Sequence, residues 1–186
     1  MTSKIRSTVA AGALVFAFAI PVGAQQAGSV MSDLVADVST VEKKLLDLAR
    51  AIPADKYEWR PGAGVRTVGE VVMHVSADNY LMPAALGVPA DPSTGIKGED
   101  YKTALAYEQR KVGKDAAIAE LAKSFAHLRK AMTSTPANTL GQNKQLFGQT
   151  FTVQQTWIMA TTHLHEHLGQ MIAYARSNGV VPPWSK

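Results

Sequence analysis

Apolar residues return every three or four positions in several stretches of this chain, the spacing that places them along one side of an α-helix. The stretch at residues 32–52 carries one such stripe, formed by Leu34, Val38, Val41, Leu45 and Leu48. The stretch at residues 118–132 carries another, formed by Ile118, Leu121, Phe125, Leu128 and Met132. Each stripe predicts an amphipathic helix that packs its apolar side against the rest of the protein.

Two further helices are marked by capping boxes, in which a threonine and a Glu or Gln three residues later satisfy each other's backbone N–H groups. Thr67 and Glu70 begin the first of them, whose predicted buried face is Val68, Val71, Val72, Val75 and Met82. Thr152 and Gln155 begin the other, which is expected to end before Gly179. Four helices of this length in one domain predict an all-α fold, a four-helix bundle.

The segments between these helices give weaker signals. Residues 101–112, YKTALAYEQRKV, fit either a short helix or an ordered loop. Residues 133–149, TSTPANTLGQNKQLFGQ, are polar and are predicted to form a long loop. No segment shows the alternation of apolar and polar residues that is typical of a strand, so no sheet is expected.

Residues 1–24 have the pattern of a secretory signal peptide. Lys4 and Arg6 give a positive start, residues 8–20 are almost wholly apolar, and the segment closes on the small residue Ala24. Cleavage after Ala24 would export the protein, to the periplasm or out of the cell, and leave residues 25–186 as one domain. An uncleaved membrane anchor is the alternative. The apolar run is too short to span a bilayer comfortably, which argues against the anchor. No stable membrane insertion is expected after cleavage.

Charge and cysteine content exclude several classes of function. Without Lys4 and Arg6, the 19 basic residues fall to 17 against 15 acidic ones, so the mature surface is nearly neutral. Such a surface gives no reason to expect a nucleic-acid partner. The chain has no cysteine, which excludes disulfides, thiolate zinc sites, iron–sulfur clusters and a cysteine nucleophile.

Three of the five histidines lie at alternate positions in the last predicted helix: His163, His165 and His167. A helix turns by about 100° per residue, so His163 and His167 project side by side while His165 points nearly the opposite way. Histidines four residues apart on a helix can chelate one metal ion. This pair lies at the edge of the apolar stripe of its helix, where a cleft between helices would form.

His74 lies at a similar edge of the second predicted helix, with Glu70 and Asp78 one turn away on either side. Its imidazole would complete a three-histidine metal site, although a single histidine in such a position is more often a hydrogen-bonded structural residue. His127 is phased away from the apolar side of its helix and is predicted to face solvent. The zinc-protease motif HExxH is excluded, because residue 164 is leucine.

Two segments resemble the DinB-like superfamily. Residues 58–75, EWRPGAGVRTVGEVVMHV, are similar to its W-x-P…R-S/T-h-x-E-h-h-x-H segment, in which h is apolar. Residues 163–183, HLHEHLGQMIAYARSNGVVPP, are similar to its closing H-x-x-x-H-x-G-Q…R…G…P-P segment. The resemblance implies an up-down-down-up four-helix bundle, often a homodimer, whose metal ligands are His74, His163 and His167.

Three neutral imidazoles leave a divalent metal at least one open position, which can bind water, polarise a carbonyl or hold a thiolate. Zinc or nickel is the expected ion. Superfamily members with known activity resemble thiol-dependent transferases and isomerases, but an exported protein lacks the thiol supply of the cytosol. The sequence therefore predicts a metal-dependent enzyme, either a hydrolase or a thiol-dependent transferase, acting on an unknown small-molecule substrate.

If the protein is an enzyme, water is the expected nucleophile, and a carboxylate near the metal would take its proton. Asp78 is the candidate catalytic residue, because Glu70 is committed to its capping box. Two other functions stay open. One is a non-catalytic protein of the cell envelope that binds metal or a small ligand, and the other is a bundle that has lost activity and serves as an interaction module.

Overall fold

The computed structural model describes residues 22–185, with side chains from Val30 onward. The predicted signal peptide, residues 1–24, lies almost wholly outside the described residues. Within them the chain forms α1 (Val22–Ala51), α2 (Val68–Ala85), α3 (Tyr101–Glu108), α4 (Lys114–Thr133), β1 (Asn143–Leu146), β2 (Gln149–Thr152) and α5 (Val153–Ser177). No helix in this part of the chain is both long enough and apolar enough to cross a membrane.

The four long helices form one bundle. α1 packs against α4 and α5, and α2 packs against the same two helices, so the four enclose a shared core. The shorter α3 packs on α2. The predicted stripes of α1 and α4 are buried, apart from Leu34 and Ile118, which are only partly covered. The fold is therefore mostly helical, while the up-down-down-up order of helix directions stays a prediction.

Both predicted capping boxes are present. At the start of α2, Thr67 Oγ1 accepts from the Glu70 N–H at 3.1 Å, and a Glu70 carboxylate oxygen accepts from the Thr67 N–H at 2.9 Å. Thr152 and Gln155 make the same pair of bonds at the start of α5. Shortly after the end of α5, Gly179 has the positive φ of 73° that commonly stops a helix. The two helices that carry the clustered histidines therefore begin where the sequence predicted.

Two connecting segments complete or correct the sequence analysis. Residues 101–108 form the helix α3, which decides the alternative left open there. The prediction of a loop at residues 133–149 is wrong in part, because residues 143–146 pair with residues 149–152 in an antiparallel hairpin. Leu146 is buried, but most side chains of the hairpin face solvent. The alternation of a half-buried strand is therefore missing from the sequence.

Candidate metal centre

His74 on α2 and His163 and His167 on α5 lie together in the cleft between these helices. Their ring centres are 5.1 Å apart for His74 and His163, 4.7 Å for His74 and His167, and 4.3 Å for His163 and His167. One potential ligand nitrogen from each ring lies within 4.8 Å of the other two. The structure thus brings together the three histidines that the sequence analysis selected, and this group is the three-histidine centre.

The surroundings of the centre favour neutral imidazoles at His163 and His167. His74 and His167 are buried, and the side chain of His163 is 22% exposed. Burial, aided by the neighbouring imidazoles, lowers the pKa of His163 to about 4. Burial also lowers the pKa of His167, although its hydrogen bond to Gln170 acts in the opposite direction. A neutral imidazole keeps the lone pair that a metal ion needs.

Hydrogen bonds orient two of the rings. His74 Nδ1 donates to a carboxylate oxygen of Glu108 at 2.5 Å. His167 Nδ1 donates to the side-chain oxygen of Gln170 at 2.8 Å. With Nδ1 as the donor, a neutral ring has its lone pair on Nε2. Metal-binding histidines commonly have such a partner on the nitrogen that does not face the metal.

The support behind His167 extends to the loop before α2. Gln170 donates to the Tyr174 hydroxyl at 2.9 Å, and Tyr174 donates to the backbone carbonyl of Arg66 at 3.0 Å. Trp59 packs edge-on against Tyr174, with ring centres 5.3 Å apart. The two segments singled out in the sequence, residues 58–75 and 163–183, therefore meet next to the centre.

Glu108 is a residue of the site that the sequence analysis missed. It ends α3, and it reaches His74 because α3 packs on α2. Its other carboxylate oxygen accepts from Arg66 at 3.2 Å. Burial alone would raise the pKa of Glu108, but the bond to His74 and the Arg66 charge hold it below its ordinary value. No periodicity links Glu108 to His74, which lies 34 positions earlier in the chain.

Asp78 contacts two of the three histidines. Its Oδ2 atom lies 2.8 Å from His163 Nε2 and 3.5 Å from His74 Nε2, and its side chain is 14% exposed. Burial raises the pKa of this carboxyl to about 6. Helical spacing predicted its proximity to His74, whereas the shorter distance to His163 depends on the packing of α2 against α5. The other carboxylate considered, Glu70, is engaged in its capping box as predicted.

The centre fits a divalent metal ion. His163 Nδ1 is buried and has no hydrogen-bond partner among the described residues. A cavity of about 10 Å³ lies against His163, His167 and Asp78, and it has room for roughly one water-sized group. Three histidine nitrogens are also the protein donor set of one class of catalytic zinc site. An orphaned nitrogen, a small cavity and neutral donors are the features expected where an ion binds.

Comparison with a known family agrees with this geometry. The sequence profile of the DinB superfamily matches residues 38–171, a range that contains all three histidines of the centre. The chain belongs to the DinB superfamily. A search of curated proteins finds no match.

Solved structures share the fold of this DinB-superfamily protein. A DinB-like protein of Bacillus cereus is 14% identical, with a TM-score of 0.66 over 81% of this chain and 93% of that one. A DinB-like protein of Bacillus subtilis is 16% identical, with a TM-score of 0.59 over 79% of this chain and 92% of that one. An uncharacterised protein of Escherichia coli is 16% identical, with a TM-score of 0.58 over 81% and 95%. At these identities the likeness concerns the fold alone.

The other two histidines of this DinB-superfamily chain lie outside the centre. His165 Nε2 lies 2.7 Å from Asp37 Oδ2 on α1, and its side chain is 49% exposed, as its helical phase predicted. The prediction that His127 faces solvent is wrong. Its ring is half-buried, lies 5.4 Å from the Tyr80 ring and bonds to the backbone of Val88. The segment after α2 covers this part of α4, a contact that the phase of α4 alone does not reveal.

Proposed function

We propose that this protein is a divalent-metal-dependent enzyme, with zinc or nickel held by His74, His163 and His167. The observation that carries the proposal is the convergence of three largely buried imidazoles, two of them oriented by partners on their other nitrogen. A closed structural site would use four protein ligands, whereas three leave a position for a reacting group. When bound, such an ion serves as a Lewis acid toward a carbonyl and acidifies water.

Hydrolysis of a small-molecule substrate is the favoured reaction. Asp78 would accept a proton from the attacking water, and the closeness of its carboxylate to two of the three rings supports this role. Glu108 is hydrogen-bonded to His74 and Gln170 to His167, and these bonds fix the orientation of the two rings. The ring nitrogens that would bind the metal therefore keep their directions. Asp78 is thus the catalytic residue of the proposal, and Glu108 and Gln170 are positioning residues.

Two alternatives each have an observation in their favour. Superfamily membership supports a thiol-dependent transfer, although export would separate the protein from the reduced thiols of the cytosol. The small cavity at the histidines, about 10 Å³, supports a non-catalytic protein of the cell envelope that binds metal or a small ligand. The orienting bonds of the imidazoles weigh toward catalysis, because a reaction needs donors held in fixed directions.

Elemental analysis tests the metal centre, and a substrate panel tests the reaction. The mature protein, purified without a histidine tag, should contain one divalent ion per chain. Metal-loaded protein is then given ester, amide and thiol-transfer substrates with and without small thiols. Turnover without thiol supports hydrolysis, and turnover only with thiol supports transfer. Retained metal with no turnover on any substrate supports the binding protein.

Asp78→Asn separates catalysis from metal binding. Loss of the proton acceptor should lower turnover about 100-fold or more, and it should lower turnover more than it lowers metal content. Asp37→Asn is the matched control, since Asp37 also contacts a histidine but lies outside the centre. It should alter neither quantity. Parallel loss of metal and turnover in Asp78→Asn would instead assign Asp78 to holding the metal.

Export and assembly complete the proposal. The pattern of residues 1–24 supports export, and the family resemblance supports an up-down-down-up bundle that forms homodimers. Sequencing of the mature protein should find Gln25 at its N-terminus, and light scattering should find twice the mass of one chain. An intact Met1 in the cytoplasmic fraction would contradict export, and a monomer would contradict the assembly.

A further inference from the structure

A pocket of about 400 Å³ opens between α2, the start of α3 and the β1–β2 turn. Its apolar lining includes Leu81, Tyr101, Leu146 and Phe147, and Glu99 adds a charge. This volume falls in the range of roughly 300–1,000 Å³ that is typical of small-molecule sites. The cavity at the histidines, by contrast, holds about 10 Å³. The centre thus has room for a reacting group, and this neighbouring pocket has room for the body of a ligand.

The pocket and the three-histidine centre both draw residues from one side of α2. Leu81 follows Asp78 by one turn of α2, so the two residues share one side of that helix. Tyr101 opens the short helix that ends with Glu108, the partner of His74. Burial raises the pKa of Tyr101, and the negative charges of Asp78 and Glu108 raise it further. The Tyr101 ring is therefore within electrostatic reach of both carboxylates that contact the centre.

The loop that precedes Tyr101 lies tightly against α2. A Cβ atom on Gly98 would lie 2.3 Å from the carbonyl of Ala84, so only glycine allows the loop to approach this closely. Asp100 caps α3 by accepting from the Lys102 N–H at 3.0 Å. The position of Tyr101 is thus set by backbone contacts, and the residue is still 41% exposed.

Phe147 breaks a local rule of turn structure. It has a φ of 54°, and Gly148 after it has a φ of 72°. A two-residue hairpin turn with both φ values positive favours Asn followed by Gly, and a bulky aromatic residue is an outlier there. Phe147 is 46% exposed, so core packing does not explain its presence. It meets the Tyr101 ring edge-on, with centres 5.4 Å apart. Residues held in unfavourable backbone conformations often mark binding sites.

We propose that this pocket binds an aromatic ring of the substrate, whose carbonyl group then lies at the three-histidine centre. The inference rests on the metal-dependent activity proposed above and adds a substrate class to it. Tyr101 and Phe147 stand at 87° to each other and present an edge and a face, the arrangement against which a further ring packs favourably. Leu81 and Leu146 supply the apolar contact that removes the ring from water.

Hydroxamate binding measures the metal and the pocket separately. The hydroxamate group chelates divalent metals, so acetohydroxamate reports on the metal alone. Benzohydroxamate, phenylacetohydroxamate and phenylpropionohydroxamate carry a phenyl ring at increasing distance from that group. Calorimetric titration of metal-loaded protein should find at least one phenyl compound bound about tenfold more tightly than acetohydroxamate. No preference for any phenyl compound would overturn the proposal.

Phe147→Asn tests the pocket wall directly. The variant should lose the phenyl preference and bind acetohydroxamate as the parent does. Its melting temperature should be no lower, because Asn suits this turn position better than Phe. Phe147→Tyr keeps a ring and should keep the preference. Ile158→Asn removes an exposed apolar side chain elsewhere, on α5, and should change neither affinity. A phenyl preference that survives Phe147→Asn would overturn the proposal.

A probe without a metal-binding group separates this inference from the proposed function. Fluorine NMR can follow para-fluorobenzyl alcohol bound to the metal-free protein. Binding that is lost in Phe147→Asn and kept in Ile158→Asn supports the pocket. It does so even where acetohydroxamate fails to bind and the proposed metal-dependent function is refuted. Binding that is equal in both variants places the ring elsewhere and overturns the pocket, and so does an absence of binding to the parent protein.

Discussion

His163 and His165 are two residues apart on α5, yet their surroundings are opposite. His163 is 22% exposed and lies 2.8 Å from Asp78 on α2, while His165 is 49% exposed and lies 2.7 Å from Asp37 on α1. Each ring has an aspartate partner, so an acidic neighbour does not distinguish them. The difference is that His163 also meets two other imidazoles, with ring centres at 4.3 and 5.1 Å. What distinguishes His163 is therefore that its neighbours include donors that converge from two helices.

His127 extends the comparison to a histidine that is partly buried but alone. Burial lowers its pKa, as it does for His163, and its Nε2 atom also lacks a hydrogen-bond partner among the described residues. Its neighbour is the Tyr80 ring, and no second imidazole lies beside it in the described part of the chain. Burial and an orphaned nitrogen therefore do not make a metal site unless other donors share the space.

Single replacements of the histidines by alanine test this comparison with the largest expected effects. His74→Ala, His163→Ala and His167→Ala should each reduce metal affinity by more than the roughly 100-fold that loss of an outer partner causes. His127→Ala and His165→Ala should keep full metal content, because neither ring points to the centre. The measurement is elemental analysis after dialysis. Equal metal loss in His165→Ala and His167→Ala would refute the geometric distinction.

Glu108→Gln sharpens the comparison, because it tests the orientation of His74 without removing a ligand. An amide cannot supply the negative charge that the His74 N–H faces, so metal affinity should fall about 10- to 100-fold. Glu120→Gln is the matched control: Glu120 is also hydrogen-bonded, to the Tyr107 hydroxyl, but it does not contact a histidine. Titration with a competing chelator gives both affinities. Equal values for the two variants would mean that convergence alone determines affinity.

Metal removal tests how far the fold depends on the centre. At a free metal concentration 100 times the dissociation constant, binding adds about 2.7 kcal/mol to the free energy of unfolding. For a domain of this size that corresponds to a shift of about 5–10 °C in melting temperature on chelation. Helical circular dichroism should persist, because the core of the bundle lies outside the centre. His163→Ala should show no such shift, and a random coil after chelation would contradict the prediction.

His165→Ala should have the smallest effect. Its contact with Asp37 joins two side chains that are 49% and 41% exposed, and exposed pairs of this kind contribute about 1 kcal/mol or less. Chemical denaturation of the metal-free protein should therefore give nearly the parent free energy of unfolding. A loss of several kcal/mol would show that the surface between α1 and α5 matters more than its exposure indicates.

Local sequence determined the parts of this protein that lie within one helix. The capping boxes at Thr67 and Thr152 predicted where α2 and α5 begin, because the bonds that form them span only three residues. The separation of His163 and His167 from His165 followed in the same way, since an α-helix turns by the same angle whatever it packs against. The family motifs then linked His74 to that pair, and the structure confirmed the meeting of all three.

Tertiary packing alone decided the contacts between elements. Glu108 reaches His74 only because α3 packs on α2, the segment after α2 covers His127, and the pocket at Tyr101 and Phe147 needs the hairpin to meet α3. None of these pairs has a spacing that a helix or a strand would reveal. The hairpin was also missed, since its mostly polar strands lack a regular alternation of apolar and polar residues in the sequence. The physical reason is common to all: periodicity records which side of an element is buried, whereas the partner it meets depends on how whole elements pack together.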